Sequence, residues 1–359
     1  MRYFGEESMK KTSLFISSLL AASLFICSCA NANTIVTTDS TQAAITTEAT
    51  TEATTEATTQ TTVNTTSAAT QVTTSALPEV IKDAPEFDRE KVENHELIPL
   101  WNEGEVPFER TTPSQTASIQ AFLVEGSDKA VVIFPGGGYF QLSTASEGTD
   151  VAKAYNKKGY SAFVVRYRYK PYGGKAILAD GQRSVQWVRY YADEMGIDPE
   201  KIAVCGFSAG GHLSVMVAQH VPEENYANDK IGTVSSVPNA CVLAYPVVTL
   251  GNGTYSTMPS IFLGTDMYKS QQVQKYSYKH NLEAMPPTFV FTSKNDTMVS
   301  YLLNAKAIAK ELTAIGKTVE YKEYSDGSHG IGLGTNYPQF SRWLEDSVNF
   351  LNTQAGFED

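Results

Sequence analysis

Beyond residue 77, short continuous apolar runs alternate with longer stretches whose apolar residues recur at helical spacing. The run Ala130–Phe134 is Ala-Val-Val-Ile-Phe, with no polar residue for either side of a pleated strand. That pattern predicts a strand buried on both faces. Comparable runs at 161–167, 202–205, 241–248 and 288–292 predict further buried strands. Segments 97–101 and 118–124 read as two opening strands, and 318–324 as a last one. Between them the spacing predicts helices over 144–158, 179–195, 211–221, 299–315 and 339–351. Gly316 suits the left-handed turn that closes the fourth of these. The alternation predicts an α/β fold with a central, mainly parallel sheet of about eight strands and helices on both faces. Ligands in such folds bind beyond the carboxyl ends of the strands.

The N-terminal part lacks this rhythm. Residues 13–26 form a mostly apolar run behind Lys10 and Lys11, about the length of a signal-peptide core. The run is too short for a comfortable membrane span. Glu6 and Glu7 are out of place in a positive leader, so Met9 competes with Met1 as the start. The run ends in Ile26-Cys27-Ser28-Cys29-Ala30, which resembles a bacterial lipobox. The resemblance implies cleavage after Ser28 and a lipid on Cys29; Cys27 is a mild departure from the pattern. The alternative is an ordinary secretory peptide with two chance cysteines. Residues 34–76 are Thr-rich, repeat Thr-Thr-Glu-Ala between Thr46 and Ala57, and contain no Lys, Arg, Gly or Pro. Such a stretch has little to bury and is expected to be a disordered or extended stalk, suited to O-glycosylation. The expected organisation is a signal peptide with lipobox over 1–29, a stalk over 30–77 and one large domain over 78–359. The expected location is the cell surface, anchored through Cys29, with full secretion as the alternative.

Charge and cysteine content narrow the function. A net charge of −11 argues against nucleic acid, whose phosphates need a basic face. Of four cysteines, Cys205 and Cys241 lie beyond the leader, both in apolar strand-like runs. They read as buried thiols, with a bond between them left open.

The chemistry begins at Gly206-Phe207-Ser208-Ala209-Gly210-Gly211, between a predicted strand and a predicted helix. In that context G-x-S-x-G is a nucleophile elbow. The turn is too sharp for side chains at its flanking glycines, and the serine is expected in a strained conformation. The plain alternative is a glycine-rich turn with an incidental serine. A serine hydroxyl needs a base within hydrogen-bond reach, and the base needs an orienting carboxylate. Of five histidines, His329 lies in Asp326-Gly327-Ser328-His329-Gly330, after the last strand and at the same end of the sheet as the elbow. His95 precedes the first strand, and His220 sits at the far end of the elbow helix. His212 lies inside that helix and suits its packing. His280 completes the set. Among Asp296, Asp266 and Asp326, Asp296 is favoured because it follows the strand over 288–292 and precedes a helix. The order Ser208, Asp296, His329 follows. Pro135-Gly136-Gly137-Gly138-Tyr139 stands directly after Ala130–Phe134. The amides of Gly137 and Gly138, with that of Ala209, are placed to bind an oxyanion. A phosphate cradle is the alternative, but the loop lacks both the Lys-Ser/Thr ending of a P-loop and the dinucleotide spacing.

Together these residues resemble the α/β-hydrolase superfamily, in its acetyl esterase/lipase branch. Further points of likeness are Glu147-Gly148, Tyr167-Arg168-Tyr169, Ala179-Asp180 and Tyr245-Pro246-Val247. Ser208-Ala209-Gly210-Gly211-His212-Leu213 is similar to bacterial esterases that deacetylate xylan and related hemicelluloses. Pro135 stands where hormone-sensitive-lipase-like esterases carry histidine, which places the chain nearer the xylan-esterase type. The resemblance implies acyl transfer by Ser208, with His329 as base, Asp296 holding its ring, and Gly137, Gly138 and Ala209 facing the oxyanion. It implies no metal and no organic cofactor, and it leaves Glu147 and Arg168 as structural residues.

The segment 249–286 is the one sizeable insertion at the site end, and no long apolar lid is visible. A minimal cap is expected. Its Tyr255, Phe262, Tyr268, Tyr276 and Tyr278 suit either sugar stacking or a protein core. The expected substrate is a short acyl ester, acetyl above all, on an extracellular carbohydrate such as acetylated xylan. Rival readings are a feruloyl or general short-chain carboxylesterase, a prolyl-oligopeptidase-type peptidase, and a non-catalytic carbohydrate-binding surface lipoprotein.

Overall fold

The computed structural model describes residues 80–251 and 257–358. The leader, Cys29, the stalk and Tyr255 lie outside the described residues. A short helix α1 (Arg89–Glu93) leads to two strands, β1 (Leu97–Pro99) and β2 (Ser118–Phe122). Then come β3 (Ala130–Phe134), β4 (Ser161–Arg166), β5 (Ile202–Phe207), β6 (Ala240–Ala244), β7 (Thr288–Ser293) and β8 (Val319–Tyr324). Interleaved or following are α2 (Asp150–Asn156), α3 (Gly174–Tyr190), α4 (Ala192–Met195), α5 (Ala209–Gln219), α6 (Met258–Leu263), α7 (Ser270–Lys275), α8 (Ala305–Ala314) and α9 (Trp343–Thr353).

The strands form one eight-stranded sheet in the order β1-β2-β4-β3-β5-β6-β7-β8. The pairs β1–β2 and β2–β4 are antiparallel, and all others are parallel. Alternation along each strand splits the core in two. Ala130, Val132 and Phe134 of β3 pack with α3, α5 and α8 on one face. Val131 and Ile133 pack with α2 and α9 on the other. From β3 the chain runs first to β4 and then back past β3 to β5. Loops after β3 and β5 therefore diverge to opposite faces, opening a crevice at the carboxyl ends of these neighbours.

Several boundaries differ from the periodicity, each for a tertiary reason. The helix expected over 179–195 starts at Gly174, where a Cβ would stand 2.5 Å from the Phe262 ring. Glycine there lets α3 abut α6, so the Gly173-Gly174 pair begins a helix rather than a loop. Asp180 is consequently interior to α3. The helix expected from 299 begins at Ala305, because Asn304 is held in a non-helical conformation. Its Oδ1 accepts the Val248 N–H at 3.0 Å. The strand expected over 241–248 stops at Ala244, because Tyr245 takes φ 34° and Pro246 follows. The helix over 144–158 opens as a π turn, Ala145–Thr149, before α2. The last helix is preceded by a 3₁₀ turn, Phe340–Arg342. Cys205 and Cys241 are buried, free thiols, so the bond left open above is not formed.

Candidate active site

Ser208 joins β5 to α5 with φ 52° and ψ −112°, outside the regions that suit a side-chain-bearing residue. Neighbouring backbone holds it there. Its N–H donates to Ala244 O at 3.0 Å, and its carbonyl accepts from Val247 N at 3.0 Å and His212 N at 3.2 Å. A Cβ on Gly206 would stand 2.2 Å from Gly210 O, and one on Gly210 1.9 Å from Phe134 O. The two glycines thus let β5 turn into α5 directly against the end of β3.

The turn aims the Ser208 hydroxyl at His329. Oγ lies 2.8 Å from His329 Nε2, and Nδ1 lies 2.7 Å from Asp296 Oδ2. A carboxylate only accepts, so with a neutral ring Nδ1 carries the hydrogen and Nε2 is free to take the serine's. The other Asp296 oxygen accepts the N–H groups of Met298 and Val299, both at 2.9 Å. This fixes the carboxylate after β7. The competing residues lie elsewhere. Asp326 accepts from the N–H groups of Gln339 and Phe340 and shapes the approach to the 3₁₀ turn. Asp266 pairs with Lys269. His95 bonds Ala121 O, and His220 stacks on His280 with ring centroids 4.4 Å apart.

The glycine loop lies beside the serine. Gly137 has φ 129° and Gly138 φ 64°, conformations that favour glycine. Among the described residues, the amides of Gly137, Gly138 and Ala209 have no hydrogen-bond acceptor in the protein. The Tyr167 hydroxyl donates to Pro135 O at 2.5 Å and braces the loop. His212, inside α5, is pinned between two elements. Its Nε2 donates to Tyr276 O and its Nδ1 accepts from the Tyr139 hydroxyl, both at 2.8 Å. Burial pushes its pKa down to about 4, so this ring is a neutral brace.

The cleft has a volume of about 570 Å³ and is lined by Ser208, His329, Gly137 and Gly138, among others. Among the described residues, the cap aromatics are not part of that lining. Phe262 and Tyr278 are buried in the core, Tyr276 is half-buried, and Tyr268 is exposed away from the cleft. The cap contributes Thr257 and Met258 instead. Among the described residues, Phe140 is the aromatic at the mouth, 60% exposed, with Lys170 Nζ 5.1 Å from its ring centroid. Sequence reasoning passed over it, although an aromatic placed one residue after Gly-Gly-Gly-Tyr was the available signal. Glu147 also reaches the cleft wall. Arg168 is fully buried and forked onto Asp180, a bracing role in the fold.

This fold and this arrangement of serine, histidine and carboxylate belong together. A family model described as alpha/beta hydrolase fold matches residues 131–333, over half of the chain, and the chain belongs to that family. An acetylxylan esterase of Xylanibacter ruminicola is 31% identical over 243 residues, 66% of this chain and 48% of that protein. An endo-1,4-beta-xylanase B of Butyrivibrio fibrisolvens is 27% identical over 254 residues, 68% of this chain and 39% of that protein. The chain thus spans about half, or less, of the length of these relatives. Among solved structures, an acetyl ester-xyloside bifunctional hydrolase from Caldicellulosiruptor lactoaceticus is 30% identical, with a TM-score of 0.68. That match covers 73% of this chain and 97% of the other.

Proposed function

We propose that this protein is a serine carboxylic-ester hydrolase that removes short acyl groups, acetyl above all, from carbohydrate such as acetylated xylan. The observation that carries the reading is the hydrogen-bonded chain Ser208–His329–Asp296 opening into a cleft beside unpartnered backbone amides. Ser208 Oγ attacks the ester carbonyl while its proton passes to His329 Nε2. The carbonyl oxygen becomes an oxyanion facing the amides of Gly137, Gly138 and Ala209, each donor worth about 3 kcal/mol in the transition state. Collapse of the intermediate expels the alcohol, which takes the proton from His329, and leaves an acyl-serine. Water then loses a proton to His329 and attacks the acyl carbon. Ser208 regains that proton as the acid departs. Asp296 holds the ring and offsets the imidazolium charge throughout.

The choice of acetyl and of carbohydrate is supported by the names of the relatives, two of which concern acetyl esters and two xylan. Hydrolysis rates across chromogenic acetate, butyrate and octanoate esters test it together with acetate release from acetylated xylan. The expected result is a decline in kcat/KM with chain length and release of acetate from the polymer. A preference for octanoate, or a polymer left fully acetylated, would contradict the reading. We also propose that the precursor is exported and anchored at the cell surface through Cys29, as the lipobox-like Ile26–Ala30 stretch suggests. The mass of the mature N-terminal peptide checks this: a diacylglyceryl cysteine is expected, and an unmodified terminus beyond Cys29 would contradict it.

A further inference from the structure

Glu147 holds two loops that are far apart in the chain and meet beside the cleft. The residue sits in the π turn Ala145–Thr149, a local widening of the helix that is frequent at functional sites. Gly148 beside it would place a Cβ 2.8 Å from Val164, so glycine lets the turn settle onto β4. Glu147 itself is 2% exposed, yet it lines the cleft. Its Oε2 accepts the Gly136 N–H at 2.9 Å, at the root of the glycine loop. The same loop is closed from behind: Ser143 N donates to Gly136 O, and Glu147 N donates to Ser143 O, both at 3.0 Å. Its other oxygen, Oε1, accepts the Tyr245 hydroxyl at 2.7 Å. That hydroxyl in turn accepts the Gly332 N–H at 3.1 Å. Gly332 lies three residues past His329, and the Tyr245 ring stands 4.9 Å from the His329 ring. The histidine loop also rests directly on the π turn, since a Cβ on Gly332 would stand 2.3 Å from Ser146 O.

We propose that Glu147 is a positioning residue that keeps the glycine loop and the histidine loop in register across the cleft. The inference rests on the ester-hydrolase reading above. The amides of Gly137 and Gly138 and the Nε2 of His329 must both serve one tetrahedral carbon, but they belong to loops far apart in the chain. One carboxylate accepts from each side, directly from Gly136 and through Tyr245 from Gly332. A buried acid is a costly way to fill space, and its pKa is raised, with burial as the largest cause. What the carboxylate supplies in return is one acceptor shared by the Gly136 N–H and the Tyr245 hydroxyl, which an apolar side chain could not offer.

The variants Glu147→Gln, Tyr245→Phe and their combination test the inference on the full chain. Displacing donors or base by about 1 Å costs up to about a hundredfold in rate. Each single variant is therefore expected to lower kcat on a chromogenic acetate ester by about tenfold to a hundredfold, with KM within about threefold of wild type. Affinity for a boronic acid, whose tetrahedral serine adduct presents an oxygen to the glycine loop, should fall by a similar factor. The double variant should be little worse than the poorer single one, because both break the same linkage. If Glu147→Gln does not fold, Tyr245→Phe carries the same comparison from the other side. Unchanged kcat and boronate affinity in a folded variant would overturn the inference, as would losses that multiply in the double variant. Failure of the wild type on every ester would overturn the hydrolase reading instead.

Discussion

Ser208→Ala is expected to lower kcat on a chromogenic acetate ester by roughly four to six orders of magnitude. The physical ground is that, among the described residues, Oγ is the group hydrogen-bonded to the free nitrogen of a histidine already oriented by a carboxylate. Without it, His329 has no covalent nucleophile to activate, and direct attack by water beside the amides of Gly137, Gly138 and Ala209 is left as a far slower route. The protein should stay folded. Alanine keeps the Cβ that the strained turn already accommodates, and the bonds holding the turn are backbone bonds to Ala244 and Val247. A near-UV circular dichroism spectrum and thermal midpoint close to wild type would separate loss of chemistry from loss of structure. Retention of most of the esterase activity by a folded variant would remove Ser208 from the mechanism.

Asp180→Ala is expected to destabilise the domain by about 3–5 kcal/mol, because it strands a buried charge. Arg168 and Asp180 are both fully buried. The carboxylate accepts Arg168 Nε at 2.8 Å, Nη2 at 2.7 Å and the Arg168 N–H at 2.9 Å, and it also accepts Trp101 Nε1 at 2.8 Å. Alanine leaves all four donors without that acceptor. Against a typical total of about 5–15 kcal/mol, such a loss brings the fold near its threshold. Urea denaturation reads it as a lower midpoint. Replacing both partners, as Arg168→Met with Asp180→Leu, should recover part of the loss, since no charge is then buried unpaired. A single variant within about 1 kcal/mol of wild type would mean that the pair does not brace α3 against the segment after β4.

Much of this was legible in the chain, and what was not has a common cause. The strands were readable because a sheet buried on both faces demands continuous apolar runs, as in Ala130–Phe134. Ser208 was readable because the elbow's constraint is local: Gly206 and Gly210 are required within a few residues of it. His329 and Asp296 were readable from position, since each follows a parallel strand at the same end of the sheet, and the structure brings both to Ser208. Glu147 was legible as a structural residue, but its bonds to Gly136 and, through Tyr245, to Gly332 are tertiary and leave no mark on the local sequence. The cap aromatics were ambiguous for the same reason, since whether Phe262 faces solvent or core depends on α3 beneath it. Asn304 stops a helix through a bond to Val248, which no local propensity foreshadows.

The most direct measurement is acetate release from acetylated xylan by the wild-type chain and by Ser208→Ala, side by side. The account predicts release by the wild type and none above background by the variant. Equal release by both, or none by a wild type that also leaves chromogenic acetate esters intact, would contradict it.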